Sequence, residues 1–185
     1  YAFAHSVRDK PVSDELIGVM KRNKTWQIPT FTREISTFVY AKPHEFLKDS
    51  FFLKGADPEA VSGVQEQKFM DRQAKDPHLA KYSEFLKTAQ SNLKKLSDAG
   101  VKIGFGTDTG PPGRFTGFFE HWEMDLMAEA GLTTNQIIAS FSRNAAEYLG
   151  VSKDLGTLET NKWADLVILA KNPVEDIKNT RTIEQ

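Results

Sequence analysis

The spacing of the strand-like runs constrains this chain most. Tyr1-Ala-Phe-Ala-His5 alternates large and small side chains, and Thr25-Trp-Gln-Ile-Pro-Thr-Phe31 is a second short run. Val101, Ile103 and Phe105 alternate into a third, which ends in Gly106-Thr-Asp108. Helical spacing separates each run from the next, and strand–helix–strand alternation predicts a parallel α/β layer. Pro29 cannot donate to a ladder, so it marks the end of the second strand. Three parallel strands cannot close into a barrel, and a parallel sheet needs its faces and edges covered. The expectation is part of a larger fold, with the length a cut through a bigger domain.

Between the strands the helix signals are local. Ser13 is an N-cap followed by Asp14 and Glu15, with Val12 and Ile17 at the staple positions, and predicts a helix to about Asn23. Residues 33–76 lean helical with breaks at Pro43, Gly55, Pro58, Gly63 and Pro77, which predicts short helices forming a lid or outer layer. Leu79, Tyr82, Phe85, Leu86, Ala89, Leu93 and Leu96 recur at helical spacing, with Gly100 as the C′ residue. Phe118–Ala130 predicts a helix ended by Gly131. The capping box Thr133-Thr-Asn-Gln136 opens another that runs to Leu149. In the tail, Leu155–Glu159 and Ala164–Leu169 flank a Thr160-Asn161 turn and predict a β-hairpin.

Composition narrows the function classes. Lys and Arg number 24 against 25 Asp and Glu, a net charge of −1. No cation excess awaits phosphates, so nucleic acid is not an expected partner. At 39% hydrophobic and 11% aromatic residues the chain is too apolar for a disordered one. No apolar run approaches the ~20 residues of a membrane span. The sequence has no cysteine, so disulfides, thiolate metal sites and Cys nucleophiles are excluded, and any metal must be held by His and carboxylate oxygens.

In parallel α/β folds chemistry gathers at the C-terminal ends of strands. His5 closes the first run and Asp108 the third. An imidazole and a carboxylate there can share a metal or act as base and orienter. Equally, His5 reads as a packed, hydrogen-bonded histidine, and Asp108 as the turn-former of Thr-Asp-Thr-Gly. Gly104-Phe-Gly106-Thr-Asp-Thr-Gly110 has the wrong spacing for a dinucleotide or phosphate loop, and Asp108 would face the phosphates with a negative charge. His121 in Glu120-His-Trp-Glu123 is not H-E-x-x-H and reads as a solvated or surface-packed helix residue, while His44 and His78 adjoin prolines at helix starts and read as structural. Arg114, in the loop after Asp108, is either a bidentate anchor for a substrate carboxylate or an exposed loop arginine. Trp26, Phe38, Phe51 and Phe52 read as core or lid packing.

Taken in order, Ala4-His5-Ser6, Val12-Ser-Asp-Glu-Leu-Ile17, Ile28-Pro-Thr30 and Gly100-Val-Lys-Ile-Gly-Phe-Gly-Thr-Asp108 resemble the later barrel strands of the amidohydrolase superfamily. Ala130-Gly-Leu-Thr133, Arg143-Asn-Ala-Ala146, Leu149-Gly150, Leu155-Gly-Thr-Leu158 and Lys162-Trp-Ala-Asp-Leu-Val-Ile-Leu169 continue its usual C-terminal order. The nearest branch is the imidazolonepropionase-like and Xaa-Pro-dipeptidase-like one. Asn161 stands where the family usually has Gly, and Ser142 where it usually has Thr.

The resemblance implies the C-terminal part of a (β/α)₈ barrel, about three parallel strands with helices, over residues 1–154, and part of a small β-sandwich over residues 155–185. It implies a metal-dependent hydrolase acting on carbon–nitrogen bonds of small amide or peptide-like substrates, with one or two divalent ions, zinc foremost. His5 would be a metal ligand. Asp108 would touch the metal, take a proton from the activated water and return it to the leaving amine. The family's early H-x-H pair, its Lys or Glu bridge and its first single histidine have no counterpart here, so the expectation is an incomplete site in this chain alone. The competing reading is a non-catalytic α/β scaffold that self-associates through exposed sheet edges.

Overall fold

The computed structural model describes residues 1–184. Its sheet is small. Strands β1 (Ala2–Phe3) and β2 (Trp26–Gln27) pair in parallel, in the register Ala2 with Trp26 and Phe3 with Gln27. The third run joins by a single parallel bridge, Gln27 to Ile103. Gln27 N–H donates to the Lys102 carbonyl and Gly104 N–H to the Gln27 carbonyl, both at 2.9 Å. All three runs are therefore shorter than their alternation predicts. The second ends early because Phe31 already starts a helix, and the third has a ladder partner on one side only among the described residues. Gly104 and Gly106 are explained by space: an added Cβ would come within 3.0 Å of Ile28 Cγ1 and 2.9 Å of Ile28 Cγ2, respectively. They let this run lie against the end of β2.

Helix α1 (Asp14–Arg22) starts as its cap predicts, with Ser13 Oγ accepting from Leu16 N–H at 3.1 Å. Helix α2 (Phe31–Ser36) follows β2 directly. The helix-leaning stretch then resolves into α3 (Ser50–Gly55), α4 (Pro58–Gln65) and α5 (Gln67–Ala74), with 3-10 turns at Val39–Ala41 and Glu45–Lys48. Asp49 and Asp57 cap α3 and α4. Gly63 lies inside α4 rather than at a break. His44 Nδ1 caps the second 3-10 turn through Phe46 N–H, whereas the His78 side chain makes no cap bond. The long α6 (Leu79–Asp98) ends as expected, Gly100 taking the left-handed φ of +80°.

Helix α7 (Phe118–Glu129) is followed by α8 (Thr134–Phe141) and α9 (Arg143–Tyr148). These last two replace the single helix expected to Leu149. The break falls at Ser142, whose φ of −112° and ψ of −94° leave the helical region while its hydroxyl donates back to the Ile138 carbonyl. The core is one apolar cluster in which Phe31, Tyr40, Phe52, Leu96, Phe119, Met127 and Ile137 are fully buried. Helix α2 packs against both α6 and α7, so the turn after β2 sits at the centre of the molecule.

The expected tail hairpin is not the observed pairing. The turn forms, with Asn161 left-handed at φ +70° and Trp163 N–H donating to the Asp154 carbonyl. Residues 164–169 then leave that partner. Leu169 bridges antiparallel to Ile183, supported by Ala170 N–H on the Thr182 carbonyl and Glu184 N–H on the Ile168 carbonyl. A 3-10 turn, Ile177–Arg181, carries the chain back onto α7, with Ile177 buried in the core. No helix among the described residues is long and apolar enough to cross a membrane.

Candidate functional site at the strand ends

Parallel pairing brings the C-terminal ends of β1, β2 and the third run to one edge of the sheet. His5 follows β1, Thr30 follows β2, and Thr107-Asp108 follows the Ile103 bridge. The chain after β1 is held by Asn92 of α6. Its side chain accepts from Val12 N–H and donates to the Val7 and Lys10 carbonyls, all within 2.9 Å. This fully satisfied buried amide fixes the loop that leaves His5.

His5 is exposed and pairs through Nδ1 with Thr30 Oγ1 at 3.0 Å. With the proton on Nδ1, Nε2 presents its lone pair outward, the orientation a ligand histidine needs. Asp108 adopts φ +57°, one of three non-glycine residues in the left-handed region among the described residues. Its carboxylate meets two guanidinium groups, Arg114 Nη1 at 2.6 Å and Arg33 Nε at 3.5 Å. Arg114 also donates to the Asp108 carbonyl and to Ser36 Oγ, each at 3.1 Å. Arg114 is thus no loose loop residue, and only 17% of its side chain is exposed. Behind Arg33 lies Glu34, fully buried and paired with both Arg33 and Arg8. Its two cationic partners offset the cost of burying the charge.

The residues that tie this edge together were not singled out in the sequence. Glu123 on α7 is fully buried and caps α2 from across the core: Phe31 and Thr32 N–H donate to its two oxygens at 2.9 and 2.8 Å, and the Thr32 hydroxyl lies 2.9 Å from Oε2. Burial pushes the Glu123 carboxyl up to about 7. The backbone and hydroxyl donors of Thr32 and Phe31 pull the other way, and neighbouring Glu34 adds to the rise. The same Thr32 hydroxyl lies 3.3 Å from the Thr107 carbonyl. One turn earlier on α7, Glu120 Oε1 accepts from the Thr107 and Thr109 hydroxyls. The only sequence signal for this pair was the Glu120-His-Trp-Glu123 run, which is not a metal motif. His121, between them, is half-buried against the edge of the Phe51 ring, its Nδ1 2.9 Å from Thr180 Oγ1. It is packed, not solvated.

The donor types on this edge, imidazole nitrogen and carboxylate oxygen, suit a divalent ion such as zinc. Their number falls short: no group of three or more His, Asp or Glu side chains is placed to hold a metal among the described residues. The arrangement sets an imidazole and a carboxylate at one edge of the sheet, the carboxylate paired with Arg33 and Arg114.

The family model described as Amidohydrolase family matches residues 46–184, well over half of the chain. A 5-methylthioadenosine/S-adenosylhomocysteine deaminase of Thermodesulfovibrio yellowstonii is 27% identical over 155 residues, covering 75% of this chain and 35% of the relative. An imidazolonepropionase of Shouchella clausii is 29% identical over 100 residues, covering 54% and 21%. Among solved structures, a Xaa-Pro dipeptidase with methionine bound in its active site superposes with a TM-score of 0.62 at 23% identity, covering 97% of this chain and 36% of that one. The ochratoxinase of A. niger gives 0.59 at 21% identity, covering 97% and 34%. The matches therefore span about a fifth to a third of the length of these relatives.

Proposed function

Because the chain belongs to the amidohydrolase family, we propose that it carries the His5–Asp108 share of a metal-dependent hydrolase that cleaves carbon–nitrogen bonds in small amide or peptide-like substrates. The observation that supports this reading is the parallel register, which sets His5 and Asp108 at the same edge with Thr30 and Thr32 between them. In this reading residues 1–154 are the barrel share and residues 155–185 are part of a small sandwich, Gln185 lying outside the described residues.

A divalent ion, zinc foremost, supplies a water acidic enough to lose a proton near neutral pH. His5 Nε2 and the Asp108 carboxylate are the donors this chain would contribute. With the ion bound, Asp108 would be the carboxylate placed to accept a proton from a water there and to hand it to the leaving amine. Arg114, with Arg33 beside it, anchors a carboxylate on the substrate, as a planar guanidinium does. Two donors are fewer than a catalytic zinc needs, so this chain alone is not expected to turn over substrate.

The test is a zinc titration of the 185-residue chain, with His5→Ala and Asp108→Asn alongside an assay for N-acyl-amino-acid hydrolysis. Weak binding that depends on both residues, without turnover, is expected. Binding indifferent to both substitutions would remove the metal role. Stoichiometric zinc with turnover abolished by Asp108→Asn would overturn the half-site.

A second reading rests on a different observation. Leu158, Trp163, Leu166, Val167 and Ile168 are exposed in the tail, and Tyr1 and Phe3 are exposed along the outer strand. This surface suits a non-catalytic scaffold that self-associates. A concentration-independent monomer in light scattering would argue against it.

A further inference from the structure

We propose that Glu120 is a positioning residue for Asp108, holding the turn Thr107–Thr109 in the backbone conformation that presents the Asp108 carboxylate. This rests on the reading of Asp108 as the site carboxylate. The proposal starts from backbone strain. Asp108 sits at φ +57°, where a side chain is tolerated at a cost and stays only if its surroundings over-determine it.

Here the surroundings act on both flanking residues at once. Glu120 Oε1 accepts from the Thr107 hydroxyl at 2.9 Å and the Thr109 hydroxyl at 3.2 Å. Its other oxygen accepts from Gly117 N–H at 2.6 Å, at the start of the same helix. The carboxylate therefore cannot swing away without giving up bonds at both oxygens. One oxygen accepting two hydroxyl protons needs two lone pairs and gains from a full charge. The Thr32 hydroxyl, next to buried Glu123, faces the Thr107 carbonyl, and Arg114 holds the Asp108 carbonyl. With residues 107 and 109 drawn toward α7, the Asp108 side chain is left on the side of Arg33 and Arg114.

Glu120 itself touches neither of those arginines nor His5 in any hydrogen bond of the described residues. It therefore acts through the turn.

The experiment uses the 185-residue chain with Glu120→Ala, Glu120→Gln and Thr109→Val. It reads the Asp108 amide and side-chain carboxyl resonances by NMR, and zinc affinity by calorimetry. Glu120→Ala is expected to move the Asp108 signals and weaken zinc binding about tenfold, the scale of losing a residue that orients a ligand. Glu120→Gln keeps one accepting oxygen but sets its NH2 against Gly117 N–H and loses the charge, so it is expected to give a change intermediate between the parent and Glu120→Ala. Thr109→Val gives a smaller change in the same direction and decides the matter if Glu120→Ala does not fold. In an Asp108→Asn background, Glu120→Ala should weaken zinc no further.

Unmoved Asp108 signals in Thr109→Val and the Glu120 variants would overturn the proposal. So would a zinc loss that adds to that of Asp108→Asn. If zinc binding proves indifferent to Asp108→Asn itself, the metal reading falls, and the Asp108 resonances alone decide whether Glu120 sets the turn.

Discussion

Arg114 Nη1 lies 2.6 Å from Asp108 Oδ2 and 3.1 Å from the carbonyl oxygen of the same residue. The carboxylate proposed to face a metal is thus held by a cation that competes with it. The Asp108 side chain is 38% exposed, so solvent screens the pair, and such a contact contributes at most about 1 kcal/mol. Arg114→Lys, which shortens the reach of the cation to the carboxylate, is therefore expected to leave the urea midpoint nearly unchanged and to strengthen zinc binding by at most roughly fivefold, the equivalent of that energy. It should also weaken binding of an N-acetyl amino acid. Calorimetry reads both, and a weaker zinc interaction would count against competition at Asp108.

Close approach of the third run to β2 makes Gly106 a sensitive position. An alanine Cβ there would sit 2.9 Å from Ile28 Cγ2, an atom attached to a rigid Cβ branch. Gly106→Ala should cost about 1–3 kcal/mol, the usual range for overpacking. Paired with Ile28→Ala, which removes the clashing methyl, it should cost clearly less than the sum of the two single changes. Chemical denaturation of the four proteins measures this, and strict additivity would show that the contact is not the cause.

What the sequence made legible divides along local and non-local lines. Ser13, Thr133 with Gln136, Gly100 and Gly131 act within four residues of themselves, and the helix ends they mark are where the structure has them. That His5 and Asp108 follow strand ends was visible because strand ends can be located without knowing the partners. Strand extent was not visible. Residues 101–105 and 164–169 carry the right alternation, but a ladder needs a neighbour, and the neighbour of Leu169 proved to be Ile183 rather than the Leu155 run. Glu120 and Glu123 were invisible as positioning groups because their partners lie at Thr107 and Thr109, and across the core at Phe31 and Thr32. Even Arg114, picked out as an anchor, needed the fold to reveal Asp108 as its present partner.

Buried Glu123 gives the fold a pH dependence of definite sign. Its carboxyl has an ordinary value of 4.5 and is pushed up to about 7 in the folded chain. Between those values the folded state keeps a proton that the unfolded state has released. Its contribution to stability is therefore fully present below 4.5, falls as pH rises toward 7, and levels off above. The change is at most about 3 kcal/mol. Urea midpoints measured from pH 4.5 to 8 should decline less in Glu123→Gln than in the parent chain, and identical slopes would exclude Glu123 as the source.

His121 runs in the opposite direction and acts on the tail. Burial against Phe51 lowers its pKa below 6.5, Arg181 adds to the lowering, and Asp125 and Glu120 oppose it in part. The Thr180 hydroxyl donates to the Ile177 carbonyl at 2.8 Å, so toward His121 it can only accept, and Nδ1 must carry the proton of the neutral ring. Acid then adds a second proton at Nε2, creating a cation in a packed site near Arg181. A histidine with a depressed folded pKa contributes stability above its ordinary value and loses it as pH falls toward the folded one. The element that depends on this contact is the 3-10 turn Ile177–Arg181, held to α7 also by Arg181 on Asp125 at 2.5 Å. Hydrogen exchange, corrected for intrinsic rates, should show this turn losing protection between pH 7.5 and 5.5 while α6 keeps its own. In His121→Gln the turn should be less protected at pH 7.5 but show no further loss on acidification. Acid loss of equal size in that variant would place the switch elsewhere.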